Sequence, residues 1–250
     1  MCIIFILRKP NNNWPLLIAS NRDEFFSRPF MDPANNWKKY PYIFAGKDRV
    51  AGGSWLGVNK HGLCAAILNR ESNIENDKYL ISRGELVIKA LKYQTASIAK
   101  REILKHFRKK YLFFNLFIAD INNAYWLKYD NFILKVSKIP IGCSILDKFD
   151  LNDDKSARQS SNRFFFEKSM LPKPEKENYH EWEKLLTFSK LSMDEKDTSI
   201  YVKKRNNNYG TVCSSIIAIP SKRNLDKSIV WLYRKTLSTK SRFRKLRVFS

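Results

Sequence analysis

The second residue of the chain is a cysteine, and its position can give it two reactive groups. Removal of Met1, which is expected when the next residue is small, leaves Cys2 with an α-amine beside its thiol. An α-amine has a pKa of about 7.7–8.0 and a thiol of about 8.5, so the amine can accept the thiol proton near neutral pH. Nucleophile and general base then share one residue. The competing interpretation is that Cys2 is a small buried hydrophobic residue on an apolar strand.

A polar run at residues 20–24, Ser-Asn-Arg-Asp-Glu, follows the second apolar segment of the chain. Residues 2–7 and 15–19 are predicted strands of a hairpin, with a turn at the three asparagines between them. The end of the second strand then returns beside Cys2. There the Arg22 guanidinium would favour the thiolate, and a carboxylate of the run, Asp23 or Glu24, could orient the α-ammonium group. The same run is equally typical of a solvated turn.

A third candidate, Asn69, ends the predicted strand 63–68 that follows Gly62. Its side-chain amide could donate a hydrogen bond to a developing oxyanion. A simple turn asparagine is the alternative.

The elements that would position these residues alternate in blocks. Hydrophobic patterns and turn signals predict further strands at 54–58, 63–68, 113–119, 124–129, 132–137, 199–203, 210–219 and 228–233 and helices at 82–92, 96–107, 156–170 and 179–190. A capping box of Ser82 and Glu85 is expected to open the first helix, and residues 27–41 are predicted to form a loop. Blocks of strands separated by helix pairs favour two stacked sheets with helices outside, in one domain over residues 1–250.

Composition narrows the class of protein. The chain has 250 residues, of which 44% are hydrophobic, and this is typical of a globular protein. No stretch is apolar for long enough to form a transmembrane helix, and the N-terminus lacks signal-peptide features, so a cytoplasmic location is expected. The four cysteines (Cys2, Cys64, Cys143 and Cys213) should then be reduced. They form no CxxC pair, so neither a zinc site nor another metal site is predicted.

The formal net charge is +22. One interpretation is weak electrostatic binding of polyanions such as nucleic acid or anionic membrane. The other is the compositional bias of an AT-rich genome, which also enriches Asn, Ile and Phe. Residues 221–250 contain ten Lys/Arg and one acid, Asp226, without a recognition motif.

Several motifs, in order along most of the chain, resemble the NRDE family, to which the transport and Golgi organisation protein 2 of animals belongs. They are Met1-Cys2, Ala19-Ser20-Asn21-Arg22-Asp23-Glu24-Phe25, Gly52-Gly53-Ser54-Trp55-Leu56-Gly57, Gly62-Leu63 with Asn69, Asp150-Leu151-Asn152-Asp153 with Arg158, and Tyr209-Gly210-Thr211-Val212-Cys213-Ser214-Ser215. The resemblance implies a four-layer αββα sandwich of two mainly antiparallel sheets, the fold of N-terminal-nucleophile hydrolases. By the same resemblance, the nearest catalytic relatives are the choloylglycine hydrolases and the penicillin V acylases.

By that similarity, Cys2 is the nucleophile, Arg22 and Asp23 tune and orient it, and Asn69 is an oxyanion donor. In those hydrolases the Arg and Asp are further apart in sequence, so Asn21 or Glu24 could fill one of the two roles. Asn152 and Arg158 are implied supporting residues.

Three functions compete. The first is an N-terminal-cysteine amidohydrolase that cleaves a non-peptide C–N bond of a small-molecule amide. The second is a non-catalytic trafficking protein on the same scaffold, with haem or lipid as cargo, which the resemblance implies. The third is polyanion binding. No cofactor is expected, and the sequence does not predict the oligomeric state.

Overall fold

The structure is a computed structural model, and it describes residues 2–71, 80–188, 198–203, 208–222, 228–236 and 241–249. In chain order its elements are β1 (Ile3–Arg8), β2 (Leu16–Phe25), β3 (Phe30–Ala34), β4 (Ile43–Asp48), β5 (Leu56–Asn59), β6 (Cys64–Asn69), α1 (Gly84–Leu91), α2 (Ala96–Lys105), β7 (Phe114–Ala119), β8 (Ala124–Asp130), β9 (Ile133–Lys138), β10 (Gly142–Leu146), α3 (Ala157–Lys168), a 3-10 turn (Pro174–Lys176), α4 (His180–Thr187), β11 (Tyr209–Ile219), β12 (Val230–Lys235) and β13 (Arg244–Leu246). Helices within these residues are all too short or too polar to cross a membrane.

The first of two compact units comprises Met1–Ser27 and Ile141–Arg247. Its sheet has the order β10-β1-β2-β11-β12-β13, and every neighbouring pair is antiparallel. Successive residues of a strand point to opposite faces, and Ile3 and Phe5 of β1 therefore share the face that packs against Phe166 of α3 and Trp182 of α4. This helix-covered face supplies the apolar core of the unit.

The second unit comprises Arg28–Pro140 and Val248–Ser250. Its antiparallel sheet has the order β3-β4-β5-β6-β7-β8-β9. One face packs against Leu86 and Leu91 of α1 and Ile103 of α2. Apolar burial of this kind contributes roughly 25 cal/mol per Å², and it holds α1 and α2 on the sheet.

The predicted block order and the predicted hairpin at the start of the chain are confirmed. β1 pairs with β2, β5 pairs with β6, and a pair of helices lies in each gap between blocks of strands. The predicted fold class, α+β with two mainly antiparallel sheets and helices, is therefore confirmed. The last predicted residues of the fourth helix, 189–190, lie outside the described residues, as do Met1 and Asp226.

Three local predictions were wrong. The predicted loop at 27–41 contains β3, because that segment pairs with β4 despite its prolines. The predicted strand at 199–203 is irregular, with isolated hydrogen bonds from Tyr201 N–H to Phe188 O and from Thr211 N–H to Val202 O. The expected capping box does not form, because Glu85 bonds to Lys89 and Tyr111 instead of reaching back to Ser82.

The most informative difference concerns the polar run, which was predicted to follow the second strand. β2 in fact continues through it to Phe25. The register pairs Asn21 with Ile3 of β1 on one side and with Ser214 of β11 on the other. A strand this polar is stable in a sheet interior because both of its edges are hydrogen-bonded.

Candidate active site

Cys2 lies immediately before β1 and beside the polar end of β2. Ile3 is paired with Asn21 and Ile4 with Ser20, so Cys2 falls next to Arg22 by continuation of the register. The residue is partly exposed. The backbone N–H of Asp23 donates a hydrogen bond to the Cys2 sulfur. The structure thus brings Cys2, Arg22 and Asp23 together.

Opposing influences act on the Cys2 thiol. Burial raises its pKa most, and the negative charge of Asp23 adds to the increase. The positive charge at the amino terminus, the Asp23 N–H and the Arg22 guanidinium lower it, but the net pKa is above the ordinary value. A thiol in this state keeps its proton at neutral pH and needs a base or a closer cation to react.

Arg22 is buried on β2, opposite Cys213 of β11. Its Nη2 atom lies 3.7 Å from Oε2 of Glu24, a partly exposed side chain two positions along the strand. Side chains at positions i and i+2 of a strand share a face. Glu24 therefore interacts with the guanidinium, while Asp23 points to the opposite face.

Asp23 is fully buried and held at both carboxylate oxygens. Arg158 Nη2 lies 2.9 Å from Oδ2, and the Thr211 hydroxyl donates to Oδ1 at 2.6 Å. The same hydroxyl accepts the Val202 N–H at 2.9 Å, so its own proton has to point towards Asp23. Asp23 therefore accepts a hydrogen bond from Thr211 at one oxygen and forms an ion pair with Arg158 at the other.

Arg158, at the start of α3, joins this carboxylate to the irregular segment 198–203. Its Nε donates to Ser199 O at 3.0 Å, and its Nη2 donates to Ile200 O at 2.6 Å. Asn21 holds the same segment, because its Nδ2 donates to Ile200 O at 3.0 Å and to Leu186 O at 2.9 Å. The side-chain amide of Asn21 thus serves the packing of this segment and of α4.

Asn152 stabilises the turn after β10. Its φ of 57° is in the left-handed region, which asparagine tolerates better than most residues. Asn152 Oδ1 accepts the Ile145 N–H at 2.8 Å, and its own N–H donates to Ile145 O at 2.9 Å. The residue extends the backbone pairing of β10.

Asn69 belongs to the second unit. It is the last residue of β6, its backbone is paired with Phe114 of β7, and its side chain is exposed. The following residue, Arg70, binds Asn115 and Asp130. Asn69 makes no hydrogen bond through its side chain within the described residues.

Comparison with known proteins identifies the family. The sequence profile of the Transport and Golgi organisation 2 family matches residues 1–228. The chain belongs to this family.

Two curated relatives illustrate the match to the Transport and Golgi organisation 2 family. The human Transport and Golgi organization protein 2 homolog is 35% identical over 131 residues, which are 50% of this chain and 47% of that protein. The Drosophila melanogaster Transport and Golgi organization protein 2 is 28% identical over 139 residues, again 50% and 47% of the two chains. The chain thus spans about half the length of the curated relatives it matches.

Solved structures with the same fold are more distant in sequence. A penicillin V acylase from Agrobacterium tumefaciens has a TM-score of 0.52 and 12% identity, covering 98% of this chain and 86% of the acylase. The Caenorhabditis elegans ortholog of N-acylethanolamine-hydrolyzing acid amidase has a TM-score of 0.55 and 12% identity, covering 90% and 96%. These similarities show that this chain has the N-terminal-nucleophile hydrolase type of fold.

Sequence reasoning missed Thr211 in this family member. Thr211 was noted only as part of a motif, yet it joins β11 to Asp23 and to Val202. Tyr209 of the same motif donates from its hydroxyl to Asp23 O at 3.0 Å. The available signal was a polar run directly after the predicted strand 15–19 and a second polar motif on the predicted strand 210–219, which together could have suggested that the two strands are neighbours.

Proposed function

We propose that this chain is an N-terminal-cysteine amidohydrolase that cleaves a non-peptide C–N bond after Met1 is removed. The observation that carries the proposal is the location of the Cys2 thiol beside the Arg22 guanidinium and the Asp23 N–H. Asp23 is itself fixed by Arg158 and Thr211.

Removal of Met1 activates the thiol in this proposal. The new α-amine belongs to Cys2 itself, so it lies closer to the sulfur than any terminal charge of the unprocessed chain. As an ammonium group it lowers the thiol pKa, and as a free amine it accepts the thiol proton. Either form increases the fraction of thiolate, which is the nucleophilic species.

The reaction then proceeds in two steps. The Cys2 sulfur attacks the amide carbonyl, an S–C bond forms, the C–N bond breaks, and the α-ammonium returns its proton to the leaving amine. Water next attacks the thioester and gives a proton to the departing sulfur, which releases a carboxylic acid and regenerates the thiol. Asn69 remains the predicted oxyanion donor on the basis of the family resemblance alone.

The names of the fold neighbours support this class of reaction. They include an acylase, an acid amidase and a conjugated bile acid hydrolase from Clostridium perfringens. Since the identities are 11–12%, the neighbours support the scaffold and leave the substrate of this chain open.

The test is intact mass spectrometry of the processed chain after exposure to a panel of amides and activated acyl donors. We expect a mass increase equal to one acyl group, located at Cys2 by peptide mapping. Cys2→Ser should remove it. Cys143→Ser is the matched control, because Cys143 is also partly exposed and its pKa is also raised by burial, and it should keep the adduct.

Absence of an adduct with every donor would contradict the proposal. Carriage of haem or lipid, the alternative function of the same scaffold, would then be favoured if a haem titration gave a tight absorbance shift that Cys2→Ala abolishes.

A further inference from the structure

A lysine-rich surface lies in the second unit and includes none of the residues named in the proposed function. We call it the lysine–aromatic surface and define it by three segments, residues 37–47, 58–61 and 89–93. Together they carry six lysines and four aromatic residues with exposed or half-buried side chains. These are Lys38, Lys39, Lys47, Lys60, Lys89 and Lys92, with Trp37, Tyr40, Tyr42 and Tyr93.

Hydrogen bonds bring the three segments together. Asn59 Nδ2 donates to Leu91 O at 2.9 Å and to Tyr93 O at 2.7 Å. The Lys60 N–H donates to Tyr42 O at 3.0 Å. The buried Asn59 amide therefore connects the β5–β6 turn to the end of α1, and the backbone of Lys60 connects it to the start of β4.

The charged side chains of this surface are all positive. The three segments contain no Asp or Glu. Among the described residues, Lys89 alone of the six lysines has a carboxylate within salt-bridge distance, Glu85 at 2.7 Å. The lysines therefore produce a local positive potential that goes beyond the general +22 charge of the chain.

Aromatic rings underlie several of these ammonium groups. Lys92 Nζ lies 4.4 Å from the centre of the Tyr40 ring, and Lys47 Nζ lies 5.6 Å from that of Trp37. Both distances are within the range of cation–π attraction. Trp37 and Tyr40 also pack against the apolar core under α1, so their rings are half-buried and amphipathic.

We propose that the lysine–aromatic surface docks on anionic phospholipid membranes. Half-buried Trp and Tyr rings suit the headgroup region of a bilayer, and lysines around them attract anionic lipids. Single-stranded nucleic acid fits less well, because it binds by stacking bases on free ring faces, whereas Tyr40 and Trp37 have a lysine over one face and core residues around them.

Vesicle flotation with purified full-length protein tests the proposal. The probe is phosphatidylcholine vesicles with and without phosphatidylserine, at about 0.15 M salt. We expect binding only when phosphatidylserine is present. Each lysine near the surface adds about five-fold to the partition coefficient, so Lys39→Glu with Lys60→Glu and Lys92→Glu should reduce binding by about 100-fold or more.

The matched control carries the same change of net charge elsewhere. Lys135→Glu with Lys155→Glu and Lys168→Glu alters three exposed lysines outside this surface, and it should keep most of the binding. Circular dichroism melting of both variants verifies that they fold. Equal losses in the two variants would overturn the proposal, because binding would then depend on net charge alone.

Two further outcomes would also overturn it. One is no vesicle binding by the unmodified protein. The other is tighter binding to a single-stranded RNA than to vesicles, lost in the first variant and kept in the control, which would assign this surface to nucleic acid. The labelling of Cys2 is read out separately, so either result leaves the proposed function untouched.

Discussion

β2 of the first unit and β6 of the second are interior strands of their sheets that treat polar residues differently. β2 buries Asn21, Arg22 and Asp23 in its second half. Elements distant in sequence supply partners for Asn21 and Asp23, whereas Arg22 lies beside Glu24 of the same strand. β6 buries apolar residues and leaves its one polar side chain, Asn69, exposed at its end. A buried polar group needs a hydrogen-bond partner within the fold. The buried polar residues of β2 therefore contribute to stability as well as to the candidate chemistry. Asn69 has no such role in stability, because its side chain is exposed.

The thiols of Cys2, which lies beside β2, and of Cys64, on β6, differ in the same way. Burial alone raises the pKa of Cys64 on β6, whereas charges and an N–H from β2 act on Cys2 in addition to burial. Cys64 is expected to be inert. The reactivity of Cys2 can be changed by its neighbours, so the comparison can be tested by altering one group at a time.

The largest effect is expected for Asp23→Ala. It leaves the buried Arg158 guanidinium without its carboxylate, and breaking a buried ion pair in this way typically costs about 3–5 kcal/mol. Urea denaturation should show this loss of unfolding free energy. A loss below about 1 kcal/mol would mean that the pair is unimportant and that β2 is no different from β6.

A smaller loss is expected for Thr211→Val, which removes the hydroxyl that donates to Asp23 Oδ1 and accepts the Val202 N–H. Removing one partner of a buried hydrogen bond costs about 1–3 kcal/mol. Thr211→Ser keeps the hydroxyl and serves as the control, with most of the stability retained. If the two variants lose the same stability in urea, the hydroxyl is not what connects β11 to Asp23.

Much of the fold was predictable from the sequence, because hairpins and amphipathic helices are set by local patterns. The contacts inside the candidate site were less predictable. The partners of Asp23 are Arg158 and Thr211. No local sequence pattern predicts a contact between residues so far apart in the chain. The polar run of β2 looked like a turn for the same reason, since its second neighbour, β11, lies far along the chain.

Stability should also fall at alkaline pH. The folded state keeps the proton of Cys64, while the unfolded thiol loses it near pH 8.5. The unfolded state then binds fewer protons, so the unfolding free energy decreases as the pH rises, by about 1.4 kcal/mol per pH unit above that value.

Cys64→Ala should flatten this slope in urea denaturation between about pH 8.5 and 10. Cys143→Ala is the control and should flatten it less, because its thiol is only partly buried. An unchanged slope in Cys64→Ala would show that the β6 thiol ionises freely in the folded protein.

The smallest effect on stability is expected for Asn69→Ala, since an exposed side chain at a strand end usually changes stability by less than about 0.5 kcal/mol. If Asn69 is the oxyanion donor, the same variant should acylate Cys2 about 100- to 1000-fold more slowly. Mass spectrometry of samples quenched at successive times gives the acylation rate, and thermal melting gives the stability. Normal acylation would remove Asn69 from the proposed site.

The proposed function requires that loss of Met1 makes the Cys2 thiol reactive. The rates at which iodoacetamide alkylates Cys2 and Cys143 in the same molecule, measured by peptide mass spectrometry from pH 6 to 10, test it directly. In the processed chain Cys2 should react faster than Cys143 at neutral pH, and in the chain that keeps Met1 the reaction of Cys2 should require a more alkaline pH. Identical pH profiles for Cys2 with and without Met1 would contradict the account.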